Sequence, residues 1–232
     1  MASSSSFSIS EAVGYGWKQV TSNLKFFIPL ALVVMAVSFA FQMLMGAFQE
    51  SDASLLIFLF VLIYIFVQLV LSLGIVKVAI DFVKKRDPKI SDLFTQYPLV
   101  LRYLGATLVM VLPLWIVIAA AGGLAVLFFT GVFENVPLVV PVLLVIAIVC
   151  FAVWWQTRLQ FYSYFIVDKN LGAIESLKRS FQVTKGLFWK LFFFGLLLSL
   201  INLLGVLALV IGLFVTIPLD WVARAYVYNK IS

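Results

Sequence analysis

From Leu187 to Tyr228 the chain reads LFWKLFFFGLLLSLINLLGVLALVIGLFVTIPLDWVARAYVY. A helix crosses a bilayer in roughly 20 residues, because each residue rises about 1.5 Å across a hydrocarbon core about 30 Å thick. The stretch is too long for one crossing. It fits two helices joined by a tight turn near Leu204–Gly205, where glycine accepts turn backbone. Working outward, four more apolar blocks run over about 26–48, 55–76, 99–129 and 137–156, and the last block divides into about 187–204 and 206–228. The expected fold class is all-α: a polytopic membrane protein with six transmembrane helices, a disordered start over 1–7 containing the Ser3–Ser6 run, and a single membrane domain over 8–232.

Composition agrees. The chain is 64% hydrophobic and 11% charged, whereas soluble domains are about a quarter charged. A net charge of +6 would point to nucleic acid in a soluble protein. Here it reads as topology signals and contacts to anionic headgroups, with no nucleic-acid partner. Cys150 is alone inside an apolar block, so it forms no intrachain disulfide and reads as a small buried hydrophobe. Histidine is absent, which removes the commonest metal ligand and general base. The first apolar block begins near Phe26, too far in for a cleavable leader, so that span reads as a retained anchor.

The charges test the span count independently. Glu50 and Asp52 lie between the first two blocks, and Glu134 between the third and fourth, with no cation in either loop. All 16 Lys and Arg fall on the opposite side. Lys77, Lys84, Lys85, Arg86, Lys89 and Arg102 follow the second span; Arg158, Lys169, Lys178, Arg179, Lys185 and Lys190 follow the fourth. Lys18, Lys25, Arg224 and Lys230 flank the ends. Basic loops stay inside, so both termini are expected in the cytosol and the chain in the plasma (inner) membrane. Only an even number of spans allows this. Trp17, Trp154, Trp155, Trp189 and Trp221 fall near the basic ends, as headgroup-level anchors should, while Trp115 lies mid-span.

The segments leading into the three hairpins resemble one another: ISEAVGYGWKQVTSNLKFF from Ile9, KISDLFTQYPLVLRYL from Lys89 and AIESLKRSFQVTKGLFWKLFFF from Ala173. Each carries an early acid (Glu11, Asp92, Glu175; 81 and 83 residues apart) and a later aromatic (Trp17, Tyr97, Phe181). This suggests a threefold pseudo-repeat of an amphipathic interfacial helix on the cytosolic side followed by a hairpin. In the first copy Ile9, Val13, Trp17, Val20 and Leu24 recur at helical spacing, and Ser8 with Glu11 makes a capping box. Asp87 and Pro88 suit the start of the second helix, whose stripe is Ile90, Leu93, Phe94 and Tyr97. Leu171, Ile174, Leu177 and Phe181 form the third stripe. Such helices either float in the headgroup layer or dock on the bundle.

Ionisable groups at membrane depth are costly and therefore candidates for function. Lys77, Arg158, Asp220 and Arg224 lie toward the basic ends of their spans, with Asp220 and Arg224 on one helix face. They read as an ion cluster fastening helix ends, or as a headgroup site. Gln42, Gln68 and Asn202 are candidate intramembrane polar contacts; converging, they would line a transport path. Ala119 with Gly123, and Ala121 with Ala125, form two small-xxx-small pairs that favour close helix packing. No catalytic constellation, cofactor motif or metal-ligand cluster is visible.

The stretch RLQFYSYFIVDKNLGAIESLKRSFQVTKGLFWK, with Arg158, Asp168, Gly172, Glu175, Ser180, Thr184, Lys185, Gly186 and Phe188 at its marked positions, resembles a group of poorly characterised prokaryotic six-span integral membrane proteins. That group includes the membrane domain fused to some glycerophosphodiester phosphodiesterases. The tail around Gly205, Gly212, Pro218 and Tyr226 and the opening ISEAVGYGWKQV look similar to the family's. The resemblance implies a six-span plasma-membrane protein and confers no enzyme, because the soluble phosphodiesterase domain is missing. Together these readings favour a non-enzymatic scaffold, accessory or lipid-associated module, with membrane lipids and a membrane protein as partners. A transporter or channel for a small or amphipathic substrate is the alternative, and a membrane-embedded lipid enzyme comes last.

Overall fold

The computed structural model describes residues 7–48, 54–130, 137, 139–208 and 211–232. Among these every regular element is helical: α1 (Ile9–Ser22), α2 (Leu24–Phe48), α3 (Ser54–Val83), two 3-10 turns (Ile90–Phe94 and Tyr97–Leu99), α4 (Val100–Phe129), α5 (Val139–Leu159), α6 (Tyr162–Lys169), α7 (Ala173–Val183), α8 (Phe188–Leu207) and α9 (Leu213–Ile231). Five helical stretches are long and apolar enough to cross a membrane: Leu24–Gly46, Ser54–Val83, Ile90–Leu127, Val139–Lys169 and Phe188–Leu207. The acidic residues Glu50, Asp52 and Glu134 and the Ser3–Ser6 run lie outside the described residues.

Burial is concentrated at the basic ends of the helices. On α3 the buried side chains run from Val70 to Asp81, while Leu55, Phe58, Ile63 and Phe66 nearer its start are exposed. On α5 only Arg158 and Leu159, at its end, are buried. On α4 Val100, Ala106 and Met110 are covered and Trp115, Ile116 and Val126 are not. Uncovered apolar surface on this scale requires an apolar solvent. The halves away from the basic end are therefore lipid-facing, and the other halves form a packed core. Cys150 is exposed, contrary to its reading as a buried hydrophobe; among the described residues only Arg158 and Leu159 of α5 are buried. Ala119 and Gly123 are exposed too. Ala121 and Ala125 line an apolar cleft shared with α5.

Helix α9 is the hub. Thr216, Pro218, Leu219, Val222, Ala223 and Ala225 are among its buried residues, and α1, α2, α3 and α8 all pack on it. Asp220 and Arg224 lie on its partly covered face. Helix α8 runs on to Leu207 and α9 begins at Leu213, so the break comes later than the expected Leu204–Gly205. Gly205 sits inside α8, where a Cβ would meet Thr216 Oγ1 at 2.5 Å. Gly212 faces it, its own would-be Cβ 2.7 Å from the Gly205 Cα. The glycines serve close approach of α8 and α9, and Gly205 makes no turn.

The three entry segments differ in geometry. Helix α1 docks on the bundle through Ala12, Gly16 and Val20. A Cβ on Gly16 would stand 3.0 Å from the Leu219 carbonyl oxygen, so small residues let the backbones approach. Trp17, expected on the apolar stripe, is 52% exposed. Ser8 caps Glu11 N–H at 3.5 Å, but the Glu11 carboxylate accepts the Tyr226 hydroxyl and pairs with Lys230 at 3.8 Å rather than completing the box. Tyr15 stacks on Tyr226 at 4.6 Å between centroids, and burial raises the Tyr15 hydroxyl above its ordinary pKa. The second segment is not an α-helix. Asp92 turns back to accept the Lys89 N–H at 2.8 Å, which closes a 3-10 turn and leaves Asp87 without the capping role. Its Leu93 is fully buried against α3. In the third, α6 precedes α7, and the buried face of α7 is Ser176, Leu177 and Ser180, whereas Ile174 is 50% exposed.

Candidate functional site

The Asp220–Arg224 pair is built by helical periodicity. Four residues apart on α9, the two side chains meet with Arg224 Nε 3.0 Å from both Asp220 oxygens. Arg224 Nη1 donates to Gln160 Oε1 at 3.0 Å, tying the pair to the segment after α5. Gln160 in turn donates through Nε2 to the Thr157 carbonyl at 3.0 Å. The pair borders an open groove of about 550 Å³ between α5, α8 and α9. Gln156 and Ser199 supply further polar lining, Phe192 and Leu196 an apolar wall, and Gly195 a gap in α8. A Cβ on Gly195 would meet nothing within 4 Å, so the groove stays open there for want of a side chain.

Much of the polar capacity of this site is unspent. A guanidinium has five N–H donors in a planar fork. Here the single Nε–H is shared between both carboxylate oxygens, and among the described residues neither Nη2 nor the remaining Asp220 lone pairs take a further hydrogen bond. The Asp220 side chain is 19% exposed and that of Arg224 30% exposed, so both reach the groove.

The other candidates are placed elsewhere. Lys77 pairs with Asp81 on the same helix at 2.9 Å, and Arg86 reaches the same carboxylate at 3.2 Å. Arg158 turns away from α9. Its Nη2 donates to the Phe181 carbonyl at 2.8 Å and its guanidinium lies 4.1 Å from the Phe181 ring centre. The Arg158 carbonyl accepts Ser180 Oγ at 3.1 Å and Thr184 Oγ1 at 3.0 Å. Arg158 thus fastens the end of α5 to the end of α7, and the four ionic candidates are not brought together. Gln68 donates to Ser38 Oγ at 3.1 Å, linking α3 to α2. Gln42 is exposed on α2. Asn202 Oδ1 is buried on α8 with no hydrogen-bond partner among the described residues. None of the three amides lines the groove.

Two further carboxylates hold ion pairs between elements or turns. Asp81 is 4% exposed and Asp168 accepts from both Lys84 and, at 3.0 Å, the Tyr228 hydroxyl. The i,i+4 spacing of Lys77 and Asp81 was a usable signal. Asp168 stands at a marked position of the family-like stretch, but its partners lie 84 and 60 residues away and have no local signal. Among the described residues no group of three His, Cys, Asp or Glu is placed to hold a metal ion. Compared with protein-family models, curated proteins and solved structures, the chain matches none.

Proposed function

We propose that this chain is a non-enzymatic, lipid-associated membrane module that crosses the plasma membrane six times with both ends in the cytosol. The observation that carries the reading is the open, half-polar groove beside Asp220 and Arg224, flanked by lipid-facing helices. A charged pair bordering an open groove leaves room for a polar partner, and a headgroup is the partner a bilayer supplies. The sixth crossing is α9, whose charges are accommodated by the helices around it. The hairpins α2–α3, α4–α5 and α8–α9, each with its entry segment, support the threefold reading. The likeness to the membrane domain of the phosphodiesterase-linked family goes with it as a proposal of kinship. Surface cations such as Lys178 and Arg179 suit anionic headgroups in the same leaflet.

Mass spectrometry of the intact protein, extracted in mild detergent, is expected to show retained phospholipid. Protein that flies lipid-free, with a melting temperature that added phospholipid does not move, would refute the lipid reading. Topology has its own test in a Cys150→Ser background with single cysteines at positions 52, 85 and 134. An impermeant maleimide is expected to label 52 and 134 in intact cells and 85 only after permeabilisation. Labelling of all three from one side would exclude the six-span arrangement.

A further inference from the structure

We propose that the groove between α5, α8 and α9 is a site for a zwitterionic headgroup bearing a primary amine, its ammonium on Asp220 and its phosphate on Arg224. The inference rests on the lipid-associated reading and narrows it. Three observations lead to this ligand class.

The first is charge. Asp220 and Arg224 are in direct contact, so the site as a whole is neutral. A purely anionic headgroup would gain Arg224 only by approaching the Asp220 carboxylate, and like charges at short range in a partly desolvated site repel strongly. A zwitterion brings one charge for each member of the pair.

The second is the hydrogen-bond inventory. Arg224 commits Nε to Asp220 and Nη1 to Gln160, leaving the Nη2 edge for phosphate oxygens. Asp220 accepts one N–H across two oxygens and retains room for two or three ammonium protons. An ammonium with N–H donors can use those lone pairs; a trimethylated ammonium has none to give. The exposed Gln156 carboxamide at the groove edge supplies both a donor and an acceptor.

The third is the wall. Phe192 and Leu196 of α8 continue the groove as apolar surface, and Leu196, Leu197 and Leu200 of that helix are exposed. A ligand with an acyl stem fits polar floor and apolar wall together; a soluble zwitterion uses the floor alone.

The experiment uses full-length protein stripped of lipid in detergent and titrated with phosphatidylethanolamine, phosphatidylcholine, phosphatidylglycerol or soluble phosphoethanolamine. Bound mass and melting temperature are the readouts. Phosphatidylethanolamine is expected to bind about tenfold more tightly than the other two lipids, the worth of one charged hydrogen bond. Gly195→Leu, whose Cβ would meet nothing within 4 Å, puts a side chain into the groove and is expected to abolish the preference while leaving the lipid-free melting temperature within a few degrees of wild type. Asp220→Asn is expected to reduce the preference as well. Phosphatidylglycerol binding as tightly as phosphatidylethanolamine, or a preference that survives Gly195→Leu, overturns the zwitterion site and leaves general lipid association standing. Phosphoethanolamine stabilising as well as the lipid overturns the lipid source. Wild-type protein binding none of the lipids overturns both this site and the reading beneath it.

Discussion

Gly74→Ala is expected to destroy the packing of the segment between α3 and α4. Gly74 lies on the buried face of α3, under the 3-10 turn that carries Leu93. A Cβ there would stand 2.5 Å from the Leu93 carbonyl carbon, and closer still to its carbonyl oxygen and Cα. The obstructing atoms are backbone, so no rotamer change relieves the clash. The turn must lift away from α3, and with it goes the burial of Leu93, which has no exposed surface. The expected cost is above about 3 kcal/mol, the range of core overpacking combined with a lost apolar contact. Thermal unfolding in detergent and monodispersity on size exclusion are the measurements. Gly122→Ala and Gly123→Ala are the controls. A Cβ at either meets nothing within 4 Å, and alanine is the better helix former by roughly 1 kcal/mol, so these variants should melt at or above wild type. A Gly74→Ala protein that melts with them would show that the turn does not rest on α3.

Glycine is where sequence reading and structure part most clearly. Gly205 invites a turn because the apolar run around it is too long for one span. Its actual use, contact with Gly212 and Thr216 across two helices, depends on the pairing of α8 with α9, and composition is silent on that. Gly74 carries no signal at all, since its partner Leu93 is in another segment. The apolar blocks that become α2, α3, α4, α5 and α8 are legible because the length of a bilayer crossing is a local property of sequence. Helix α6 is not. YSYFIVDK mixes apolar and charged residues over eight positions and becomes helical because Tyr162, Tyr164, Phe165 and Ile166 are enclosed by other elements. The same division runs through the polar residues. Asp220 and Arg224 are one helical turn apart, and their pairing could be read directly. Arg158 could be read as an ionisable residue at the basic end of its span, but neither its burial nor its partner could. Phe181 lies 23 residues on, and the docking of α7 that brings it near has no local cause.

Asp168→Ala is expected to be the most damaging single charge removal among the described ion pairs. The Asp168 side chain is 7% exposed, and two groups from other helices converge on it: Lys84 just beyond α3 and the Tyr228 hydroxyl of α9. Tyr228 is fully buried, its ring edge-on to Phe165 at 5.0 Å between centroids. Asp168 and Tyr228 are already desolvated in the folded state, Lys84 keeps part of its access to solvent, and the carboxylate is the member that compensates the other two. Without it, an ammonium and a buried hydroxyl are left facing an empty site. The expected loss is about 3–5 kcal/mol, as for one-sided disruption of buried ion pairs elsewhere. Asp168→Asn should fall between, since its carbonyl still accepts from Tyr228 while the charge opposite Lys84 is gone. Glu175→Ala, on the exposed side of α7, should stay within about 0.5 kcal/mol of wild type. Combining Asp168→Leu with Lys84→Met is expected to recover a substantial part of the loss, because removing both charges removes the need for either. The order to measure in one detergent is thus Glu175→Ala, then Asp168→Asn, then Asp168→Ala, with the double variant above Asp168→Ala. If Asp168→Ala instead melts alongside Glu175→Ala, the carboxylate is solvated in the native state, and the junction of α3, α6 and α9 is held by its aromatic side chains alone.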